Sequence, residues 1–187
     1  MGVEISNGSL NKYLIQPIGY FYLTLAQDLG DRASNTFLLI LELLIIYLLL
    51  KPPFFFQTNS LYLILSFLSL IGGIFIYFYL SFLVALTTFW WPEHGGWPQR
   101  FLFDTIIIFL TGGWFPLDLL PKPIFAFLQF LPTTYLRFFP LQIYLGKTAL
   151  NSILPGFIIM FLWIILLGLV VNRVWQKGLK SYSAVGI

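Results

Sequence analysis

Residues 61–89 read LYLILSFLSLIGGIFIYFYLSFLVALTTF, a run without a single Asp, Glu, Lys, Arg or His. A helix at the surface of a soluble domain keeps a polar stripe opposite its apolar one, and this run has none. About 20 apolar residues suffice to cross a hydrocarbon core of roughly 30 Å. The run therefore reads as a membrane span longer than it needs to be, one that must tilt, kink at Gly72-Gly73 or project from the bilayer. Trp90-Trp91-Pro92 closes it where an interfacial aromatic belt is expected.

Composition agrees with that reading along the whole chain. Of 187 residues 59% are hydrophobic and only 9% charged, against about 25% charged in an ordinary soluble domain. So few charges cannot cover the surface of a soluble enzyme of this length, and that class is excluded. Ten Lys and Arg against seven Asp and Glu give a net charge of +3. The basic residues are scattered, which speaks against nucleic acid as a partner and suits a chain seated in anionic lipid. With no cysteine there is no disulfide, thiolate metal site or cysteine nucleophile. Residues 1–6 carry neither a basic n-region nor an apolar h-region, so insertion is expected to start from a mature span.

Working outward, residues 1–32 are expected to form two short interfacial helices, separated at Pro17 and Gly19. Apolar runs at 33–50, 101–115 and 153–172 read as further spans, giving about four. Lys51-Pro52-Pro53 closes the first. Between the last two, Pro116, Pro121, Pro123, Pro132 and Pro140 cut an aromatic stretch into pieces too short to cross as helix. Residues 116–145 therefore read as a re-entrant hairpin of two half-helices, a form tolerated at membrane depth only against protein or a watery cavity. The expected fold is an all-α polytopic membrane bundle in a single domain, 1–187. The basic residues Arg173, Lys177 and Lys180 mark 173–187 as a cytoplasmic tail. With both termini cytoplasmic, Lys12, Arg32, Arg100, Arg173, Lys177 and Lys180 lie inside, and Lys51, Lys122, Arg137 and Lys147 outside. That bias has the expected sign.

The chain is poor in catalytic signals. Gly146-Lys147-Thr148 resembles the end of a phosphate loop, but the pattern needs glycine at position 141, which is Leu141, so ATP binding is not expected here. His94 stands beside Glu93 in a Gly/Pro-rich loop without a second histidine at ligand spacing, and a solvated loop histidine is the plainer reading. Glu42 is more informative. It lies within an apolar span, where an ionised group costs about 3 kcal/mol, so it must face another helix or a cavity, or be protonated. It either lines a transport path or subunit seam, or makes an interhelical hydrogen bond that fixes packing. Arg100 with Asp104, and Asp118 with Lys122, have i,i+4 spacing and read as anchors at span ends. The stretch from Ser9 to Tyr20 offers a cytoplasmic patch that either lies on lipid or docks a soluble partner.

Three segments together resemble the permease subunits of type-2 ABC exporters. Residues 7–18, from Asn7-Gly8-Ser9-Leu10 through Tyr13-Leu14 to Pro17-Ile18, are similar to that family's Gly-x-Leu-x-x-x-Leu-x-x-Pro segment. Phe89-Trp90, Thr111-Gly112-Gly113-Trp114-Phe115-Pro116 through Pro121, Leu131-Pro132, Phe139-Pro140 and Leu145-Gly146 resemble its proline-rich hairpin. Trp175-Gln176-Lys177-Gly178-Leu179 through Tyr182 and Gly186 resemble its basic terminus.

The resemblance implies a permease in the plasma or inner membrane that forms a substrate path as a homo- or heterodimer. It implies no cofactor of its own, ATP being bound by separate ATPase subunits. Gly8, Leu10, Tyr13, Leu14 and Pro17 would form the ATPase-coupling surface. Gly112, Gly113, Pro116, Pro121, Pro132 and Pro140 would shape the gate, and Glu42 would line the path or seam. One departure stands out: the family's usual first two of six spans are missing, so a truncated start or a second polypeptide is expected. The alternatives are a small intramembrane lipid-modifying enzyme using Glu93, His94 and Asp104, and a remnant that associates without transporting.

Overall fold

The computed structural model describes residues 1–53 and 55–182, and among them all regular structure is helical. It divides into two compact units, Met1–Gly8 with Gln57–Ile187, and Ser9–Phe56.

The Ser9–Phe56 unit holds α2 (Asn11–Leu14) and α3 (Tyr20–Leu50). The break expected near residue 32 is absent, and the second interfacial helix and the first span are one helix of 31 residues. The physical reason is local. No proline falls between Tyr20 and Leu50, and Asp28 and Arg32 are joined one turn apart by an ion pair of 2.6 Å, so the polar turns propagate into the apolar ones. Helix α3 ends at Lys51, whose left-handed backbone (φ 43°) is followed by Pro52-Pro53.

The other unit begins with α1 (Gly2–Ser6) and is built on α4 (Ser60–Leu86), α5 (Trp97–Leu110), α6 (Lys122–Leu128), α7 (Phe138–Tyr144) and α8 (Leu150–Ser181). The Asn59 side chain caps α4 by accepting from the Leu61 amide at 3.0 Å. Helix α4 packs chiefly on α8 and α7. It runs unbroken through Gly72-Gly73, so the glycines serve close approach and not a kink. A Cβ on Gly72 would come 2.5 Å from the Met160 side chain of α8, and one on Gly73 2.7 Å from the Tyr135 carbonyl oxygen. Ile76, Tyr135, Phe139, Ile143, Ile153, Met160 and Leu167 form the buried core. Since lipid tails are as apolar as these side chains, tight packing and hydrogen bonds hold such a core together.

Among the described residues three helices, α3, α4 and α8, are long and apolar enough to cross a membrane. The run expected as a fourth span over 101–115 is instead the 14-residue α5, about 21 Å long at 1.5 Å per residue. Its end is set by a Schellman turn: the Gly112 amide donates to the Phe109 carbonyl, the Gly113 amide to the Ile108 carbonyl at 2.9 Å, and Gly112 has φ 76°. The expected tail is also helical, as α8 continues to Ser181. Ser183, Ala184, Val185, Gly186 and Ile187 lie outside the described residues. At the end of α8, Trp175, Gly178 and the C-capping Tyr182 close on Phe89. The two rings sit 5.8 and 5.7 Å from it, and a Cβ on Gly178 would collide with it. Trp90, Trp91 and Trp97 are exposed about the end of α4 and the start of α5, as in an interfacial aromatic belt.

Candidate functional site

The prolines and glycines between 112 and 140 act as the sequence pattern predicts: they stop helices. After the Schellman turn, Pro116 holds an extended backbone ahead of a single 3-10 turn at Leu117–Leu119. Pro121 is the N-cap of α6, its carbonyl accepting from the Ile124 and Phe125 amides. Pro132 opens the turn Pro132–Tyr135, and Pro140 falls in the first turn of α7, where its missing amide hydrogen costs nothing. The result is two half-helices of seven residues each, touching through Phe125 and Phe138 with ring centroids 5.7 Å apart.

The linker between them is tied by side chains that the sequence pattern alone did not single out. Thr134 Oγ1 donates to the Leu128 carbonyl at 2.6 Å, and Tyr135 Oη to the Gln129 carbonyl at 2.9 Å. From α8, Trp163 Nε1 donates to the Phe130 carbonyl at 2.8 Å. A helix-stopped backbone among apolar side chains leaves carbonyls unpaired, and these three donors satisfy some of them. Trp163→Phe should therefore cost about 1 kcal/mol. Limited proteolysis of the purified protein should show faster cleavage around 129–137 in that variant, with α4 and α8 unchanged.

Between this segment and the first turns of α8 lies a cavity of about 740 Å³. Asp118, Gln129, Gln142, Lys147 and Asn151 give it polar walls among aromatic ones. Pro155, inside α8, has no amide hydrogen to offer the Asn151 carbonyl, which adds an acceptor on that side. The cavity thus offers carbonyls, amides and both signs of charge.

The remaining sequence candidates are dispersed. Gly8 has φ 76° in the turn after α1. In the other unit, Tyr13 packs its ring 5.6 Å from that of Tyr20, while Leu14 and Pro17 are exposed. Leu10 departs from expectation. It is fully buried at the N-cap of α2, whereas the coupling surface was expected to be open. Glu42 is exposed on α3, along with the apolar side chains from Phe37 to Leu50. Among the described residues of its own unit no cavity faces it, and the one other helix there is the four-residue α2.

Asp118 and Lys122 do not pair among the described residues, because Pro121 separates the 3-10 turn carrying one from the helix carrying the other. Arg100 and Asp104 do pair, and they reach further than a span-end anchor. Arg100 Nε donates to Asp104 at 2.9 Å, Nη2 donates to Tyr77 Oη at 2.9 Å and Nη1 donates to Ser81 Oγ, while Tyr77 Oη donates to Asp104 at 3.3 Å. Tyr77 and Ser81 are the members that an i,i+4 search along one helix misses.

Glu93, His94 and Asp104 make no catalytic group. His94 is exposed in a left-handed turn with Gly95 and Gly96, on which α1 packs, whereas Asp104 is engaged by Arg100 and Tyr77. Among the described residues no group of three His, Cys, Asp or Glu stands ready to hold a metal.

A family model of ABC-2 family transporter proteins matches residues 1–186. The chain belongs to the ABC-2 transporter family. No curated protein and no solved structure matches it. Membership makes this a membrane protein with a permease role, a transport subunit rather than an enzyme. The proline-cut segment and the cavity beside it combine broken helices with polar side chains, an arrangement that lipid-facing backbone cannot tolerate.

Proposed function

We propose that the chain is the permease subunit of an ATP-driven exporter, working as a dimer with separate ATPase subunits that bind the ATP. The observation that carries this reading is the family match across residues 1–186. The exposed α3 supports the dimer. A helix with its apolar side chains open and a carboxylate, Glu42, among them gains from a seam with a second protomer, where the carboxylate is shielded from lipid. The segment 116–145 serves as a re-entrant gate, and both termini face the cytoplasm, where the basic residues of α8 follow its apolar stretch. Closure of the ATPase subunits presses on the short segment carrying Gly8, Leu10, Tyr13, Leu14 and Pro17, and shifts an equilibrium between inward- and outward-open states.

The coupling surface is the most direct part to test. Leu14, Ile15 and Ile18 are exposed apolar residues about one helical turn, beside the exposed Lys12, and such a patch suits a soluble partner. Tagged full-length protein purified from its native membrane should bring an ATPase subunit with it. Leu14→Asp should lower that recovery about tenfold, since desolvating a carboxylate at an apolar contact costs at least the ~1.4 kcal/mol that a tenfold change represents. Recovery of no ATPase by the unmodified chain, under conditions where a longer relative retains one, would refute the coupling.

A further inference from the structure

A second depression lies on the Gln57–Ile187 unit, and its lining shares no residue with that of the polar cavity. It is a groove of about 530 Å³ between the first three turns of α4 and helix α7. Leu63, Phe67 and Leu70 form one wall, and Leu136, Pro140 and Leu141 the other. Phe67 and Leu141 are 64% and 54% exposed, so the groove opens sideways, toward whatever surrounds this unit. From Leu63 to Leu70 it runs about 10 Å along the helix, and its volume falls within the ~300–1,000 Å³ usual for ligand sites.

One charge stands in this apolar lining, that of Arg137. Among the described residues its guanidinium makes no hydrogen bond or ion pair. Asp104, on the neighbouring α5, is held by Arg100 and Tyr77, and Asp118 lines the other cavity. Space is kept for the guanidinium by Gly113, where a Cβ would stand 3.1 Å from Arg137 Nη1. A planar donor fork with no acceptor, beside an apolar trough, is complementary to a molecule with an anionic head and a hydrocarbon tail.

We propose that this groove binds an anionic phospholipid of the surrounding bilayer, its phosphate on Arg137 and one acyl chain along Leu63, Phe67, Leu70 and Leu141. A free phosphate would gain nothing from the apolar walls. A zwitterionic lipid carries its own cation beside the phosphate and competes with the arginine for it. The site is independent of ATP-driven transport, and its test contains neither ATP nor a partner subunit.

The test titrates the full-length protein in mild detergent with phosphatidylglycerol or phosphatidylcholine, reading bound lipid by native mass spectrometry and, in parallel, the thermal midpoint. Unmodified protein should prefer phosphatidylglycerol about tenfold. Arg137→Gln should bring phosphatidylglycerol down to the phosphatidylcholine level, Arg137→Lys should keep part of the preference, and Arg173→Gln should leave it whole. Leu141→Trp, which fills the groove and leaves Arg137 in place, should weaken both lipids. It also carries the test if the Arg137 variants fail to fold. Equal binding of the two lipids by unmodified protein, an undiminished preference in a folded Arg137→Gln, or undiminished binding of both lipids by Leu141→Trp overturns the proposal. So does displacement of the lipid by millimolar inorganic phosphate, which would make this a bare anion site. If lipid has no effect while Arg137→Gln changes the oligomeric state, a second copy occupies the groove and the lipid reading falls.

Discussion

Gly73→Ala should destabilise the protein by about 2 kcal/mol, while Gly72→Ala, one residue earlier, should be close to neutral. The difference follows from what each new methyl group would meet. At Gly73 it would lie 2.7 Å from the Tyr135 carbonyl oxygen, 3.3 Å from that of Leu136 and 3.4 Å from the Leu136 Cα, all backbone atoms. None of these can turn aside, so α4 and the 132–136 turn must separate, at the ~1–3 kcal/mol typical of overpacking. At Gly72 the obstacle is the Sδ and Cε of Met160, at 2.5 Å. An unbranched thioether with three rotatable bonds moves aside readily. Against both stands the gain of roughly 0.5–1 kcal/mol from replacing a mid-helix glycine with alanine. That gain offsets the small cost at Gly72 and falls short of the large one at Gly73. Thermal melting in detergent checks the pair. Equal effects at the two sites would mean that the turn does not bear on α4 as closely as the structure has it.

The same glycines show what was legible in the sequence and what was not. Length and apolarity of residues 61–89 were enough to predict a span, since they depend on composition along one segment. Whether Gly72-Gly73 kinks or packs depends on what lies opposite, and Met160 and Tyr135 are 60 or more positions away. The proline-cut half-helices were legible because proline acts on its own backbone. The early end of α5 was not, although Gly112-Gly113 was in view. A Schellman turn and a glycine inside a continuing helix look alike until the amide hydrogen bonds are known. For α3 the error was one of weighting. The charges at Asp28, Asp31 and Arg32 pointed to an interfacial helix, yet an i,i+4 ion pair stabilises a helix as well as an apolar stripe does.

The candidate site was legible to the same degree. Proline and glycine positions predicted the broken segment correctly, but its hydrogen-bond donors, Trp163 above all, come from elsewhere in the chain. Leu10 and Tyr13 share a stretch of sequence without sharing an environment, and no periodicity can be read from a single helical turn. Phe89 is picked out in the sequence only by the family resemblance, and nothing along the chain marks it as the residue that Trp175, Gly178 and Tyr182 close upon.

Arg100→Leu should cost about 2 kcal/mol, and most of that loss should return when Asp104 is also replaced by leucine. Arg100 makes three side-chain hydrogen bonds, one to Asp104 on its own helix and two, to Tyr77 and Ser81, that join α5 to α4, and its guanidinium carbon lies 5.8 Å from the centre of the Tyr77 ring and 5.7 Å from that of Phe103. Hydrogen bonds to charged groups contribute about 1.5–3 kcal/mol each where water is excluded. Here both side chains are 43% exposed, which lowers the total. The larger part of the loss comes from what is left behind. Without Arg100, the Asp104 carboxylate keeps only the Tyr77 hydroxyl in an apolar setting, and an unpaired ion there costs more than the pair contributes. Asp104→Leu removes that ion, so the double variant should lie nearer the parent protein than Arg100→Leu does. A coupling of about 1–2 kcal/mol is expected from the double-mutant cycle, read by denaturation in detergent micelles. Simple addition of the two single losses would show that each residue acts alone. The sign matters for transport, because α5 runs from this network directly into the Gly112-Gly113 turn and the proline-cut segment. An α5 that slips on α4 would displace the half-helices without altering any residue that lines the cavity.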